Sequence, residues 1–225
     1  KITEFPDLTS VSHKHHKSFN GVKFASNHVE NFGPYLTEFI SFLNSKPFLV
    51  FLRKLTSIER NLITDPYFFG GGLHEIKKGG FLKIHADFNK HDELLLDRRL
   101  NILIYLNKHW KDDYGGHFEL WDKDMKKCEQ KISPKFNTLA IFSTTSDSYH
   151  GHPDPLNCPE DMSRKSIALY YYTNGRPDNE IVSSIESHDT LYKKRDQDNN
   201  FTAKKIVTDI TPPILIRTIS KLLKK

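Results

Sequence analysis

The stretch Gly79-Gly80-Phe81-Leu82-Lys83-Ile84-His85-Ala86-Asp87 combines a turn signal, a strand pattern and two side chains that bind metals. The paired glycines favour a turn, and the residues that follow favour a β-strand. Side chains alternate along a strand with a period of two, so His85 and Asp87 lie on the same face. An imidazole and a carboxylate on one face predict two ligands of a metal ion.

A third ligand is available far downstream, in Tyr149-His150-Gly151-His152. Two imidazoles and one carboxylate on one side of a metal leave its other positions open, and this donor set indicates a non-haem Fe(II) oxygenase. His150 and His152 would share a strand face, so spacing alone leaves both open as the distal ligand. The sequence therefore predicts an iron site built from His85, Asp87 and one of these two histidines.

The residues around these motifs follow a β-rich pattern between Gly70 and Thr173. Short apolar runs are separated by Gly, Pro, Asn and Asp, which is typical of a sandwich or barrel. We expect eight strands, the number in a jelly roll, at residues 73–76, 82–87, 100–106, 116–121, 129–133, 138–143, 148–152 and 165–173. The predicted fold class is mainly β, with a double-stranded β-helix (jelly roll) core and flanking helices.

Helices are expected on the N-terminal side of this core. Apolar residues recur at helical spacing within residues 29–63, and Pro47 interrupts the pattern before it resumes. After Gly175-Arg176-Pro177 the chain becomes polar, and residues 212–225 are expected to end it as an amphipathic helix. We predict one domain over residues 1–225, divided into helical support at 1–69, the jelly-roll catalytic core at 70–175 and a C-terminal extension at 176–225.

Composition limits the classes of function. Hydrophobic residues make up 37% of the 225 residues, and no run of about 18 apolar residues could span a membrane. The net charge of +5 could attract an anionic partner, but no zinc knuckle or aromatic-basic stacking motif favours nucleic acid. Cys128 and Cys158 give no disulfide framework, so we expect an intracellular, cytoplasmic protein. The sequence does not predict the oligomeric state.

Several further motifs follow the opening stretch in a characteristic order. They are Arg98-Arg99-Leu100-Asn101-Ile102-Leu103-Ile104-Tyr105-Leu106-Asn107, Gly115-Gly116-His117-Phe118-Glu119-Leu120, Pro134-Lys135-Phe136, His150 and Ser163-Arg164-Lys165-Ser166. Together they resemble the Fe(II)- and 2-oxoglutarate-dependent oxygenases, specifically the prolyl 4-hydroxylase-like branch of bacterial or phage type. The resemblance covers residues 73–173.

This resemblance assigns the iron ligands to His85, Asp87 and His150. In the family an apolar residue stands two positions after the distal histidine. His152 takes that position here, near the mouth of the site, so the resemblance favours His150 as the ligand. The segment 151–163 is longer than in many relatives, and we expect it to form a lid.

The resemblance also implies a site for 2-oxoglutarate, whose far carboxylate needs a cationic partner when it is buried. Arg164 stands at the start of the last strand, where this branch keeps its basic residue, and a guanidinium binds a carboxylate in a bidentate manner. Lys165 is the alternative, although a one-residue shift directs it to the other sheet face. Tyr105 matches the family tyrosine that hydrogen-bonds the same carboxylate.

The activity implied by the resemblance is hydroxylation with Fe(II), 2-oxoglutarate and dioxygen, releasing succinate and carbon dioxide, with ascorbate as reductant. The implied substrate is proline in a peptide or protein, hydroxylated at ring carbon 4. The rim residues expected to contact it are Arg98, Arg99, Trp121, His152 and Asp154. The alternatives are hydroxylation of a free amino acid, another side chain or a small metabolite, and a non-catalytic jelly-roll binding protein.

Overall fold

The structure is a computed structural model that describes residues 5–8, 14–18, 21–177, 187–196 and 198. The chain separates into two compact units, Lys1–Lys193 and Lys194–Lys225. In the second unit Arg195 forms an ion pair with Asp198 at 2.8 Å. The helix expected at residues 212–225 lies outside the described residues, and the proposed division of residues 1–225 stays a prediction.

The described part of the first unit contains two α-helices and twelve β-strands. The helices are α1 (Pro34–Leu43) and α2 (Lys46–Thr56). The strands are β1 (Lys14–Ser18), β2 (Gly21–Ser26), β3 (Ile63–Thr64), β4 (Gly72–Lys77), β5 (Leu82–Ala86), β6 (Asp97–Tyr105), β7 (Phe118–Trp121), β8 (Cys128–Ile132), β9 (Thr138–Ser143), β10 (His150–His152), β11 (Ser163–Thr173) and β12 (Leu191–Tyr192). None of the helices in these described residues is long and apolar enough to cross a bilayer.

Nine strands form one antiparallel, nearly closed barrel in the order β8-β7-β10-β5-β2-β4-β11-β6-β9. Strands β4 to β11 correspond one to one to the eight predicted strands, with ends that differ by up to three residues. The jelly-roll prediction is therefore confirmed. The three short strands β1, β3 and β12 extend the sheet at β2, β11 and β5.

Alternation along β6 and β11 separates the barrel cavity from the hydrophobic core. The cavity-facing side chains of these two strands include Asn101, Leu103, Arg164, Ser166 and Tyr170. Those on the opposite face belong to the main apolar cluster: Leu100, Ile102, Ile104, Ile167, Leu169 and Tyr171. Because strand side chains point to opposite faces in turn, one pair of strands builds both the site and its support.

Helices α1 and α2 cover the outer face of these strands, as expected for N-terminal helical support. Leu36, Ile40 and Leu43 of α1 share an apolar cluster with Phe48 and Leu52 of α2 and with the outward side chains of β6 and β11. The Tyr171 hydroxyl donates a hydrogen bond to the carbonyl of Leu43 at 3.0 Å. Each helix has a proline in its first turn, where the missing N–H has no intrahelical partner to lose.

Strand β2 was not predicted and fills an important position. It pairs with β4 along Phe24–Ser26 and with β5 at Gly21, so it bridges the gap where these two barrel strands diverge. The alternation of Val22, Lys23 and Phe24 is a short strand signal that a polar N-terminus obscures. Its half-buried Lys23 lines the barrel cavity.

Candidate functional site

Three potential metal ligands meet at one end of the barrel. His85 lies on β5, Asp87 follows directly after that strand, and His150 begins β10 opposite His85 in the pairing of the two strands. Asp87 Oδ1 is 3.5 Å from His85 Nε2, and Asp87 Oδ2 is 3.2 Å from His150 Nε2. Ligand atoms of all three lie within 4.8 Å of one another, and all three residues are buried.

Backbone contacts orient both imidazoles. His85 Nδ1 lies 2.7 Å from the carbonyl oxygen of Lys83, and His150 Nδ1 lies 2.9 Å from that of Ser148. A ring whose Nδ1–H donates to a carbonyl keeps the lone pair on Nε2, and Nε2 faces Asp87 in both cases. Burial, together with the neighbouring His150, lowers the pKa of His85, which favours its neutral form. The donor set therefore fits Fe(II).

Asp87 is held by two buried side chains beneath the ligands. Arg98 Nη2 donates to Asp87 Oδ2 at 2.9 Å, and Asn101 Nδ2 donates to the same oxygen at 2.6 Å. Burial acts to raise the pKa of Asp87, but Arg98 and the two histidines outweigh it and hold the pKa well below its usual value. Asp87 is therefore a carboxylate at neutral pH, the form that binds a metal.

A β-bulge places Arg98 there rather than at an open rim. On the pairing of β6 with β11, Tyr171 faces Leu100 while Tyr172 faces Arg98, so Arg99 is an extra residue. Bulges redirect side chains near active sites. Arg98 is consequently fully buried and stacks 3.4 Å from the centre of the Tyr170 ring.

The expected rim position of both arginines is therefore corrected. Arg99 is also buried, and its Nη1 donates to Thr173 Oγ1 at 3.3 Å. The sequence motif alone does not show that the side chains of Arg98 and Arg99 take different positions. The bulge that causes the difference arises from pairing with a strand that is distant in sequence. Asn101 was also missed, although it lies four residues before Tyr105 on β6, so the period-two alternation could have placed it on the same face.

Arg164 and Tyr105 form a second buried polar group in the barrel. Arg164 Nη2 lies 3.1 Å from the Tyr105 hydroxyl, and Arg164 Nε donates to the carbonyl of Gly116 at 2.8 Å. Burial lowers the pKa of the guanidinium and raises that of the phenol, while each group partly opposes the shift of the other. Both side chains keep hydrogen-bond donors that are available to an anionic ligand.

The alternative basic residue, Lys165, points away from the cavity. Its Nζ lies 3.9 Å from Glu75 Oε1, outside the set of side chains that line the barrel interior. Arg164 lines the same cavity as His85, Asp87 and His150. The structure therefore brings the predicted carboxylate partner and the predicted metal ligands into one cavity.

The segment between β10 and β11 is anchored to the barrel and is not a free lid. The amide of Gly79 donates to the carbonyl of Leu156, and the amide of Leu156 donates back to the carbonyl of Gly80, at 2.8 and 3.0 Å. Leu156 and Cys158 are buried against Ile76. The expected lid is thus corrected, because these contacts hold the segment behind Arg164.

The remaining predicted contact residues differ in their exposure. Trp121 is half-buried and its indole N–H donates to Glu119 Oε2 at 2.9 Å, while Asp154 is exposed. His152 is buried and lines the cavity. It does not join the ligand cluster, so His150 is the distal ligand that the geometry supports.

Comparisons with known proteins agree with this arrangement. Residues 71–172 match the family model described as 2OG-Fe(II) oxygenase superfamily. The chain is 33% identical over 86 residues to prolyl 3-hydroxylase OGFOD1 of Mus musculus, covering 36% of this chain and 15% of the relative. It is 35% identical over 71 residues to prolyl 3-hydroxylase sudestada1 of Drosophila melanogaster, covering 27% of this chain and 13% of the relative. The chain thus matches only a small part of each relative.

A solved structure shows the same fold. The structure of a Pseudomonas putida prolyl-4-hydroxylase superposes with a TM-score of 0.50 and 12% identity, covering 73% of this chain and 79% of that chain. Within the family match lie His85, Asp87 and His150, which form a facial triad. The jelly-roll core is thus the part of this chain that matches the 2OG-Fe(II) oxygenase superfamily.

Proposed function

We propose that this protein is an Fe(II)- and 2-oxoglutarate-dependent hydroxylase that acts on prolyl residues of a peptide or protein. The observation that carries the proposal is the presence of the His85–Asp87–His150 triad and the Arg164–Tyr105 pair in one barrel. A structural metal site needs no buried guanidinium beside it. The alternative function, a non-catalytic binding protein, therefore accounts for fewer of these residues than the oxygenase function does.

The residues of the chain would each have a defined task in this reaction. When bound, Fe(II) supplies the activation of dioxygen that couples conversion of 2-oxoglutarate to succinate and carbon dioxide with substrate hydroxylation. His85, Asp87 and His150 would hold the metal and leave positions open on one side. Arg164 and Tyr105 would bind and orient the far carboxylate in a buried setting, where charge-assisted hydrogen bonds are strong.

The prolyl substrate is supported by the names of relatives and by a shared motif order. Two relatives are named prolyl 3-hydroxylases, whereas ring carbon 4 was expected from the sequence motifs. The proposal therefore covers both ring carbons. Hydroxylation of a free amino acid, another side chain or a small metabolite uses the same metal and cosubstrate residues, so only the substrate separates these alternatives.

The setting of the reaction is also part of the proposal. Cys128 and Cys158 are free thiols, which suits a reducing, intracellular compartment such as the cytoplasm. Such a compartment keeps iron reduced more readily than an oxidising one, and we propose ascorbate as the added reductant in assays.

The experiment is incubation of the purified protein with proline-rich peptides, free L-proline and host-lysate proteins. Fe(II), 2-oxoglutarate and ascorbate are added, and mass spectrometry follows. We expect a gain of one oxygen on a prolyl residue, and fragmentation against 3- and 4-hydroxyproline standards assigns the ring carbon. The matched control is His150→Ala, which removes a ligand and should give no product. Oxygen added only to free proline or to another residue would remove the peptidyl-prolyl claim and leave the iron and 2-oxoglutarate claims standing.

A further inference from the structure

His152 is a buried polar side chain in the barrel, and its surroundings indicate that it contacts a ligand. It lies on β10 two residues after the metal ligand His150, is 3% exposed, and lines the cavity that contains the triad. Neither ring nitrogen has a hydrogen-bond partner among the described residues. The pairing of β10 with β5 is irregular between the two histidines, since His150 pairs with His85 and His152 pairs with Leu82.

An unsatisfied imidazole in this position is energetically unfavourable for the protein alone. A buried donor or acceptor without a partner lowers stability, whereas an apolar side chain of similar size does not. The resembling family has an apolar residue at this position, so this chain departs from the pattern at a site where the departure destabilises it. A bound molecule that accepts a hydrogen bond would remove the penalty.

The neighbours of His152 indicate which molecule that is. Arg164, His85 and Lys23 line the same cavity as His152, so that cavity contains the metal site, the carboxylate-binding arginine and the cation of β2. The half-buried Lys23 faces the same cavity. A ligand that extends from the metal to Arg164 would occupy the cavity that His152 also lines, and 2-oxoglutarate has carboxylate oxygens that accept hydrogen bonds.

We propose that His152 donates a hydrogen bond to bound 2-oxoglutarate and is a third cosubstrate-binding side chain beside Arg164 and Tyr105. This proposal rests on the proposed function, since it requires that the cavity binds 2-oxoglutarate. An imidazole carries at least one N–H in either protonation state, so the His152 ring can donate a hydrogen bond. The role differs from that of a metal ligand, which the geometry gives to His150.

The experiment is calorimetric titration of 2-oxoglutarate into Mn(II)-loaded protein, because Mn(II) accepts the same ligands without turnover. We expect His152→Leu to bind 2-oxoglutarate about 10-fold more weakly or worse, as expected for loss of one hydrogen bond to a charged group. Mn(II) affinity should not change. His152→Gln keeps a side-chain N–H and should recover much of the affinity, and the exposed His28→Leu is the matched surface control.

The outcomes separate this proposal from the proposed function. If wild-type protein binds 2-oxoglutarate and His152→Leu binds it equally well, the role of His152 is refuted and the function stands. If His152→Gln is as weak as His152→Leu, packing rather than hydrogen bonding explains the loss, and the proposal is also refuted. If wild-type protein with Mn(II) does not bind 2-oxoglutarate, both fail. Loss of Mn(II) binding in His152→Leu would instead make His152 a metal ligand.

Discussion

In the metal-free protein, the positive charge of Arg98 compensates the buried negative charge of Asp87. The first prediction follows from this pairing. In Arg98→Met the carboxylate loses its charge partner, and breaking a buried pair in this way destabilises a protein by about 3–5 kcal/mol. A bound divalent cation supplies positive charge at the same carboxylate. We therefore expect a large loss of stability in metal-free protein and a clearly smaller loss at saturating Mn(II), measured by denaturant unfolding.

Arg99→Met is the matched control for that experiment. Arg99 is buried like Arg98, but its guanidinium donates a hydrogen bond to Thr173, whereas that of Arg98 donates to Asp87. Its loss of stability should be the same with and without Mn(II). A loss in Arg98→Met that does not depend on metal would contradict the role of Arg98 in balancing Asp87.

Arg164 and Tyr105 provide the second prediction. Removing the guanidinium in Arg164→Ala takes away two charge-assisted hydrogen bonds, so the Kd for 2-oxoglutarate should rise at least about 100-fold. Tyr105→Phe loses one hydrogen bond, and a rise of about 5-fold is expected. Calorimetry with Mn(II) measures both values. Lys165→Ala, on the other face of β11, is the control, and a strong effect there with none at Arg164 would reverse the assignment.

At the residue scale, the sequence predicted those side chains whose positions depend on local spacing. His85 and Asp87 are two residues apart at the end of a strand, so period-two alternation predicts that they share a face. The same alternation places Arg164 and Lys165 on opposite faces of their strand. Arg98 could not be placed in this way. Its position depends on a bulge at Arg99, and the bulge depends on how β6 pairs with β11.

The turn before β7 and the segment after β10 together support the Arg164 side chain. Gly116 has a φ of +69°, and a Cβ there would lie 2.5 Å from Leu156 Cδ2 and 2.9 Å from Arg164 Cδ. Gly116→Ala must therefore displace one of these side chains. We predict a stability loss of about 1–3 kcal/mol from overpacking and weaker 2-oxoglutarate binding, measured by unfolding and calorimetry.

Gly79→Ala separates the packing effect from the backbone effect. Gly79 also has a positive φ, +76°, but no atom lies within 4 Å of its Cβ position. This control should lose stability through its backbone alone and keep its affinity for 2-oxoglutarate. Equal affinities in Gly116→Ala and wild-type protein would show that the segment does not position Arg164.

At the element scale, eight of the nine barrel strands were predictable because each combines an apolar run with clear turn residues at its ends. Strand β2 has Val22, Phe24 and Ala25 as apolar residues, with Lys23 between the first two and a polar stretch before the strand. Its formation depends on β4 and β5, which leave unpaired edges for it to bridge. A strand that depends on long-range pairing in this way leaves only a weak local signal in the sequence.

Across the whole molecule, helices α1 and α2 act as support for the barrel. Leu52 is fully buried in the cluster that includes the outward side chains of β6 and β11. Leu52→Ala should reduce the free energy of unfolding by about 2–5 kcal/mol and leave the Kd for 2-oxoglutarate unchanged below the unfolding temperature. The exposed Val50→Ala on the same helix should change stability by less than about 0.5 kcal/mol.

A different result for Leu52→Ala would assign the helices another role. If stability is retained and turnover of a peptide substrate is lost, α1 and α2 contact the substrate instead of only supporting the sheet. Chemical unfolding and steady-state turnover on the same preparation distinguish the two cases.

The most direct test of the oxygenase assignment is Fe(II)-dependent formation of succinate from 2-oxoglutarate in air, followed by mass spectrometry. It requires no knowledge of the final substrate, because these enzymes consume some 2-oxoglutarate without one. We predict succinate from the wild-type protein with Fe(II) and ascorbate, and none above background from Asp87→Ala, which lacks one of the three ligands. A folded, metal-loaded wild-type protein that forms no succinate, or an Asp87→Ala variant that forms as much as wild type, would contradict the assignment.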